Sequence, residues 1–90
     1  MYRLYIGSNN QTGDLEVITA IDIIKEYYKG FTYWTATGHW RGKAEKTLIV
    51  EVDASDWQDD YISKNMIDDL KDLLGQETIG VVELPPMKFL

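Results

Sequence analysis

Phe31-Thr32-Tyr33-Trp34-Thr35-Ala36-Thr37, and then Thr47-Leu48-Ile49-Val50-Glu51-Val52, decide the fold of this chain. The first run is rich in β-branched and aromatic residues, which suit a pleated surface, and reads as a strand. The second is the clearest strand in the sequence. Leu48, Val50 and Val52 fall on one face and Thr47, Ile49 and Glu51 on the other, the period-two pattern of a half-buried strand. Between them the stretch from Gly38 to Lys43, with glycines at positions 38 and 42, reads as a hairpin connection or a bulge. The middle of the chain is therefore two strands in succession.

Working outward, the N-terminal side carries a strand and a helix. Tyr2, Leu4 and Ile6 alternate against Arg3 and Tyr5, and the loop-forming run Gly7-Ser8-Asn9-Asn10-Gln11-Thr12-Gly13 interrupts them. Leu15 to Tyr28 has helical spacing, with Val17, Ala20 or Ile21, Ile24 and Tyr28 on one face, Asp14 as its cap and Gly30 as its stop. On the C-terminal side, Ser55-Asp56-Trp57-Gln58 matches a capping box, and Asp56, Asp59 and Asp60 sit in the positive first turn that follows. The stripe of this second helix is Ile62, Met66, Leu70, Leu73 and Leu74, and Gly75 ends it. Ile79 to Leu84 is a last strand, stopped by Pro85-Pro86.

The order β-α-β-β-α-β in 90 residues predicts one α+β domain over residues 1–90, of the ferredoxin-like kind. Its four-stranded antiparallel sheet carries both helices on one face, so the other face is open. Tyr5, Tyr33, Trp34, Ile49, Val81 and Val82 supply more apolar bulk than one face needs, which predicts sheet-to-sheet association with small-molecule clefts between subunits.

Composition narrows the chemistry. Hydrophobic residues at 44% and charged residues at 27% are the balance of a folded soluble domain. Nine Lys and Arg against fifteen Asp and Glu leave a net charge of −6, which argues against nucleic acid and anionic membrane surfaces. Without Cys there is no thiolate or disulfide, and one His cannot build a multi-His metal centre. No apolar run reaches membrane length and the N-terminus reads as a strand, so the cytoplasm is the expected location.

Two stretches hold the candidate site residues. Ser8, Asn9 and Asn10 follow the first strand, where short polar side chains and free amides suit a carboxylate, ribose or phosphate, or serve simply as turn residues. A Gly-Lys-Ser/Thr ending is absent, so this is not a phosphate loop. The second stretch is Gly38-His39-Trp40-Arg41-Gly42-Lys43-Ala44-Glu45-Lys46-Thr47. His39 is a general base or a surface histidine. Trp40 stacks on an adenine or cation, or fills an interface, and Arg41 suits bidentate capture of a carboxylate or phosphate. Glu45 either faces a cleft or pairs with Lys43 or Arg41 in solvent. The spacing of Asp53, Asp56, Asp59 and Asp60 lacks the ligand pattern of a calcium loop, and helix capping accounts for it. Tyr27 and Tyr28 read as rim and core.

Gly38-His39-Trp40-Arg41, then Glu45-Lys46-Thr47 opening a strand, resembles the central hairpin of the phage S-adenosylmethionine (SAM) lyases, formerly called hydrolases. The resemblance implies a PII-like homotrimer with active sites between subunits, working in the host cytoplasm if phage-encoded. It implies cleavage of SAM to methylthioadenosine and homoserine lactone by attack of the substrate's own carboxylate, with no cofactor and no metal. A related branch acts on the SAM–AMP conjugate, a second messenger of type III CRISPR defence, and either nucleoside is an expected substrate. On this resemblance Glu45 is the essential acid and Trp40 takes the place of the family's active-site aromatic, usually Tyr. Tyr5, Tyr33 and Trp40 then offer π-faces, while Ser8, Asn9, Asn10 and Arg41 orient the ribose or the carboxylate. The chain departs from the family pattern in its Trp and in a shorter loop between Arg41 and Glu45. The alternative is a non-catalytic trimeric PII-like sensor of adenine nucleotides, and a third reading is a plain interaction module.

Overall fold

The computed structural model describes residues 1–9, 12–52, 64–85, 88 and 90. The elements are β1 (Tyr2–Ile6), α1 (Val17–Tyr27), β2 (Phe31–Trp40), β3 (Lys43–Val52), α2 (Lys64–Leu74) and β4 (Gly80–Glu83). The strands form one sheet in the order β2-β3-β1-β4, and each neighbouring pair is antiparallel. This is the ferredoxin-like arrangement that the alternation of strands and helices predicts.

Register explains which face is buried. Tyr2, Leu4 and Ile6 of β1 lie opposite Val52, Val50 and Leu48 of β3, and directly paired residues share a face. All six are buried, together with Ala20, Ile23, Ile24 and Tyr28 from α1 and its end, and Met66, Leu70 and Leu74 from α2. Both helices therefore cover one face of the two central strands. Burying a side chain such as Leu4, Ile24 or Leu70 contributes about 1.5–3 kcal/mol before entropy is counted. A rim bond ties the helices together, since the Tyr27 hydroxyl donates to Asp69 Oδ2 at 2.8 Å. That bond to Asp69, first among the causes, raises the Tyr27 phenol above its ordinary value.

Several expectations change. The Gly38–Lys43 stretch is mostly strand: β2 runs to Trp40, β3 begins at Lys43, and only Arg41 and Gly42 turn. Both have positive φ, 50° and 78°, as a two-residue type I′ hairpin turn demands. Asp14 does not cap α1, because the helix starts at Val17 and Glu16 is its N-cap, without a side-chain cap bond. Gly30 does not stop the helix either. Tyr28 already leaves it with extended backbone, which keeps its ring in the core at 3% exposure. Leu73 is 62% exposed rather than part of the α2 stripe. Gly75, in contrast, ends α2 as expected with φ 60°. The capping box at Ser55–Gln58, the Asp53 to Asp60 cluster, Ile62 and Pro86 lie outside the described residues.

The apolar surplus divides between the faces. Trp34, Ile49 and Tyr5 form one row across the open face, with Val82 beside Arg3 in the next row. Tyr33 and Val81 pair with Val50 and Leu4 on the helix side, yet both are exposed. They sit on the two edge strands, beyond the width that two helices cover.

Candidate active site

The core residues of β3 begin only at Leu48, and residues 43 to 46 are exposed. The outer four rungs of the hairpin, from Thr37–Lys46 to Trp40–Lys43, therefore stand clear of the core. Beside them the chain leaves β1 and crosses to α1. Between this crossing and the start of β3 lies a cleft of about 680 Å³ lined by Ser8, Asn9, Gly13, Asp14, Leu15, Ala44, Glu45 and Lys46.

The described residues of the loop that forms one wall are tied together by their own polar groups. The Ser8 hydroxyl donates to the Lys46 carbonyl at 3.3 Å, extending the β1–β3 contact past the last ladder pair, Ile6–Leu48. Asn9 is the hub of the loop. Its backbone N–H donates to Asp14 O at 2.8 Å, and its own carbonyl accepts from Gly13 N–H at 2.7 Å. Its side-chain oxygen accepts from Thr12 N–H at 3.2 Å, and its side-chain nitrogen donates to Glu16 Oε2 at 3.1 Å. Asn9 thus serves the turn, as one of the two readings of this stretch holds, while Ser8 and the backbone face the cleft. Asn10 lies outside the described residues.

Glu45 stands on the opposite wall. It is exposed, and its cross-strand partner is Gly38, which has no side chain to cover it. Asp14, freed from capping, brings a second carboxylate to the cleft. Among the described residues no group hydrogen-bonds that carboxylate, although its backbone N–H donates to Thr12 Oγ1 at 3.2 Å. Lys46 adds one positive charge to the lining. Two carboxylates and one ammonium suit a ligand carrying both cationic and anionic groups. Among the described residues no three His, Cys, Asp or Glu side chains come together as metal ligands.

The other sequence-derived site residues are spread out. Tyr5 shares the Ile49 row on the open face, four residues or roughly 13 Å along β3 from Glu45. Tyr33 is five rungs, roughly 17 Å, from the Gly38–Glu45 pair and on the helix side. Trp40 closes the ladder opposite Lys43, and Arg41 opens the turn. His39 is exposed opposite Ala44. Within one chain, Ser8, Asn9 and Glu45 meet; Tyr5 and Tyr33 do not join them. Arg3 is occupied elsewhere. Its Nε and Nη2 both donate to Glu51 Oε1, at 2.9 and 2.6 Å, and this bond, with a lesser one to Tyr5, holds the guanidinium pKa above its ordinary value.

Sequence reasoning missed Asp14 as a site residue by spending it on the helix cap. The signal was its place after Gly13, inside the loop. No protein-family model matches the chain, and no curated protein matches it. Among solved structures it is similar to a phage SAM lyase in the apo state, with a TM-score of 0.57 and 16% identity over 89% of this chain and 74% of that one. At this identity the likeness shows a shared fold: the chain is built on the same β-α-β-β-α-β frame as that lyase.

Proposed function

We propose that the protein is a carbon–sulfur lyase acting on SAM or on its AMP conjugate. The observation that carries this reading is the cleft that sets Glu45 against Ser8 and Asp14, in a chain sharing its fold with a phage SAM lyase. The reaction asks little of the protein. The substrate's carboxylate oxygen attacks its own γ-carbon, the carbon–sulfur bond breaks, and its electron pair neutralises the sulfonium. Methylthioadenosine, or its AMP-linked form, leaves, and homoserine lactone remains. No proton moves in this step, so holding the substrate in a near-attack geometry and excluding water are the main tasks.

Glu45 holds the ammonium or the sulfonium, Asp14 takes the other positive group, and the Ser8 hydroxyl orients the ribose or carboxylate. Lys46 balances the carboxylate end or, in the conjugate, the phosphate. Most of the lining is exposed in a single chain, and an open cleft excludes water poorly. We therefore assign the working form to a homotrimer in which Tyr5, Tyr33, Trp40 or Arg41 of a neighbour completes the wall.

The test is incubation of the purified protein with SAM and, separately, with the AMP conjugate, with products read by mass spectrometry. Methylthioadenosine or its AMP-linked form, together with homoserine lactone, is the expected outcome. Glu45→Gln should lower turnover by about a hundredfold or more with an unchanged circular dichroism spectrum and melting temperature. Intact substrate in both wild-type reactions would overturn the lyase and favour a non-catalytic sensor of adenine nucleotides. Full activity of Glu45→Gln would remove Glu45 from its role.

A further inference from the structure

The wall of the cleft that carries Ser8 is held from behind by the end of α2, which contributes nothing to the lining. Gly75 takes the left-handed conformation, φ 60°, and the Gln76 N–H donates back to Lys71 O at 3.0 Å. This is a Schellman ending, in which the second residue past the helix bonds into its last turn. It swings the Gln76 side chain over the helix end toward β1. There Nε2 donates to the Ser8 carbonyl at 2.6 Å and lies 3.4 Å from Leu74 O. The amide rests so close to the strand exit that a Cβ on Gly7 would stand 3.3 Å from Gln76 Oε1. A Cβ on Gly75 would stand 2.9 Å from both Nδ2 and Oδ1 of Asn9. Positions 75 and 76 therefore meet Ser8 and Asn9 of the cleft wall, 68 positions away for the Ser8 bond.

Nothing in the sequence motif of the helix end requires this. A Schellman ending needs a glycine and a backbone bond, and the residue after the glycine is free to point its side chain into water. Here the side chain is part-buried and donates to the one backbone carbonyl that adjoins the Ser8 hydroxyl and its own bond to Lys46 O. Ser8 is thus pinned on one side by α2 and on the other by β3, the strand that carries Glu45.

We propose that Gln76 is a positioning residue of the cleft. By donating to the Ser8 carbonyl while Gly75 leaves room for Asn9, it sets the separation between the β1–α1 loop and Glu45, and so the fit of the substrate's ribose and amino-acid ends. The functional half of this proposal rests on the lyase reading. With Ser8 on the ribose and Asp14 on the ammonium, the loop holds groups that do not react, so loosening it removes binding shared by ground and transition states. KM rises and kcat holds.

The experiment uses the full chain with Gln76→Met, which keeps the side chain's length without a donor, and Gln76→Glu, which keeps its shape but presents only acceptors at neutral pH. Amide hydrogen exchange is followed by NMR without substrate. The N–H groups of Asn9, Thr12 and Gly13, which bond within the loop, should exchange at least tenfold faster in both variants, while those of Leu48 and Val50 in the core keep their wild-type rates. Steady-state kinetics should then show KM raised about fivefold with kcat changed less than twofold. Unchanged loop exchange in both variants overturns the clamp. Faster loop exchange with unchanged KM, in an active enzyme, overturns the positioning role. A wild-type protein that cleaves neither substrate overturns the lyase reading and the kinetic half with it, while the exchange rates alone still decide the clamp.

Discussion

Asp14 sits two residues before Glu16, the N-cap of α1, and that offset changes what its carboxylate does. A capping side chain must reach the amides of the first turn, and Leu15 and Glu16 intervene. The carboxylate lines the cleft instead. Glu45 was singled out from the sequence by its place in the Gly38–Thr47 motif, and it lines the cleft. Asp14 was not, because the helix start lies two residues later than the hydrophobic spacing implies. If Asp14 holds a cationic group of the substrate, Asp14→Asn should raise KM about two- to fivefold, the worth of an exposed charge pair. The melting temperature should stay the same, since Asp14 caps nothing. Steady-state kinetics beside a thermal melt checks this, and an unchanged KM would leave Asp14 as a bystander on the cleft wall.

At the scale of elements, the β2–β3 hairpin is longer and tighter than its composition implies. Glycines at 38 and 42 read as a loose connection, yet Gly38 is a strand residue opposite Glu45 and only Gly42 has positive φ. Local composition marks where a chain can bend. Cross-strand pairing decides where it does. The turn puts Arg41 at φ 50°, a conformation that side chains adopt at a cost. Gly42 meets no such cost, and a Cβ there would find nothing within 4 Å. Gly42→Ala is therefore a clean measure of backbone strain, expected to destabilise by about 1 kcal/mol. For a domain of this size that is a fall in melting temperature of roughly 4–8 °C. A calorimetric melt of Gly42→Ala that matches wild type would mean that the turn does not require φ above zero at that position.

For the whole molecule, the helices bury one side of β1 and β3 and leave an apolar row on the other. Trp34 at 40% and Tyr5 at 38% exposure flank Ile49 there, with Val82 in the next row at 42%. The proposed trimer covers such surface and brings a neighbour's aromatic groups to the cleft. Trp34→Glu places a charge in that row without touching the core or the cleft lining. Sedimentation equilibrium should find wild type near three times 10.4 kDa and the variant shifted to lower mass with reduced turnover. A wild-type monomer at all concentrations would overturn the inter-subunit site.

The succession of strands and helices was determined by the sequence itself. Periods of two and 3.6 residues report which side chains face a core, whatever that core contains. The same patterning placed Leu4, Ile24, Val50 and Leu70 inside. Tertiary structure decided the rest. Whether Tyr33 and Trp34 share a face with Glu45 depends on strand register and sheet order, which pair residues far apart in the chain. The partner of Ser8 at Gln76 depends on the end of α2 coming to rest against the end of β1. That contact forms because two separate apolar stripes bury themselves on the same sheet face, and no local pattern around either residue records it.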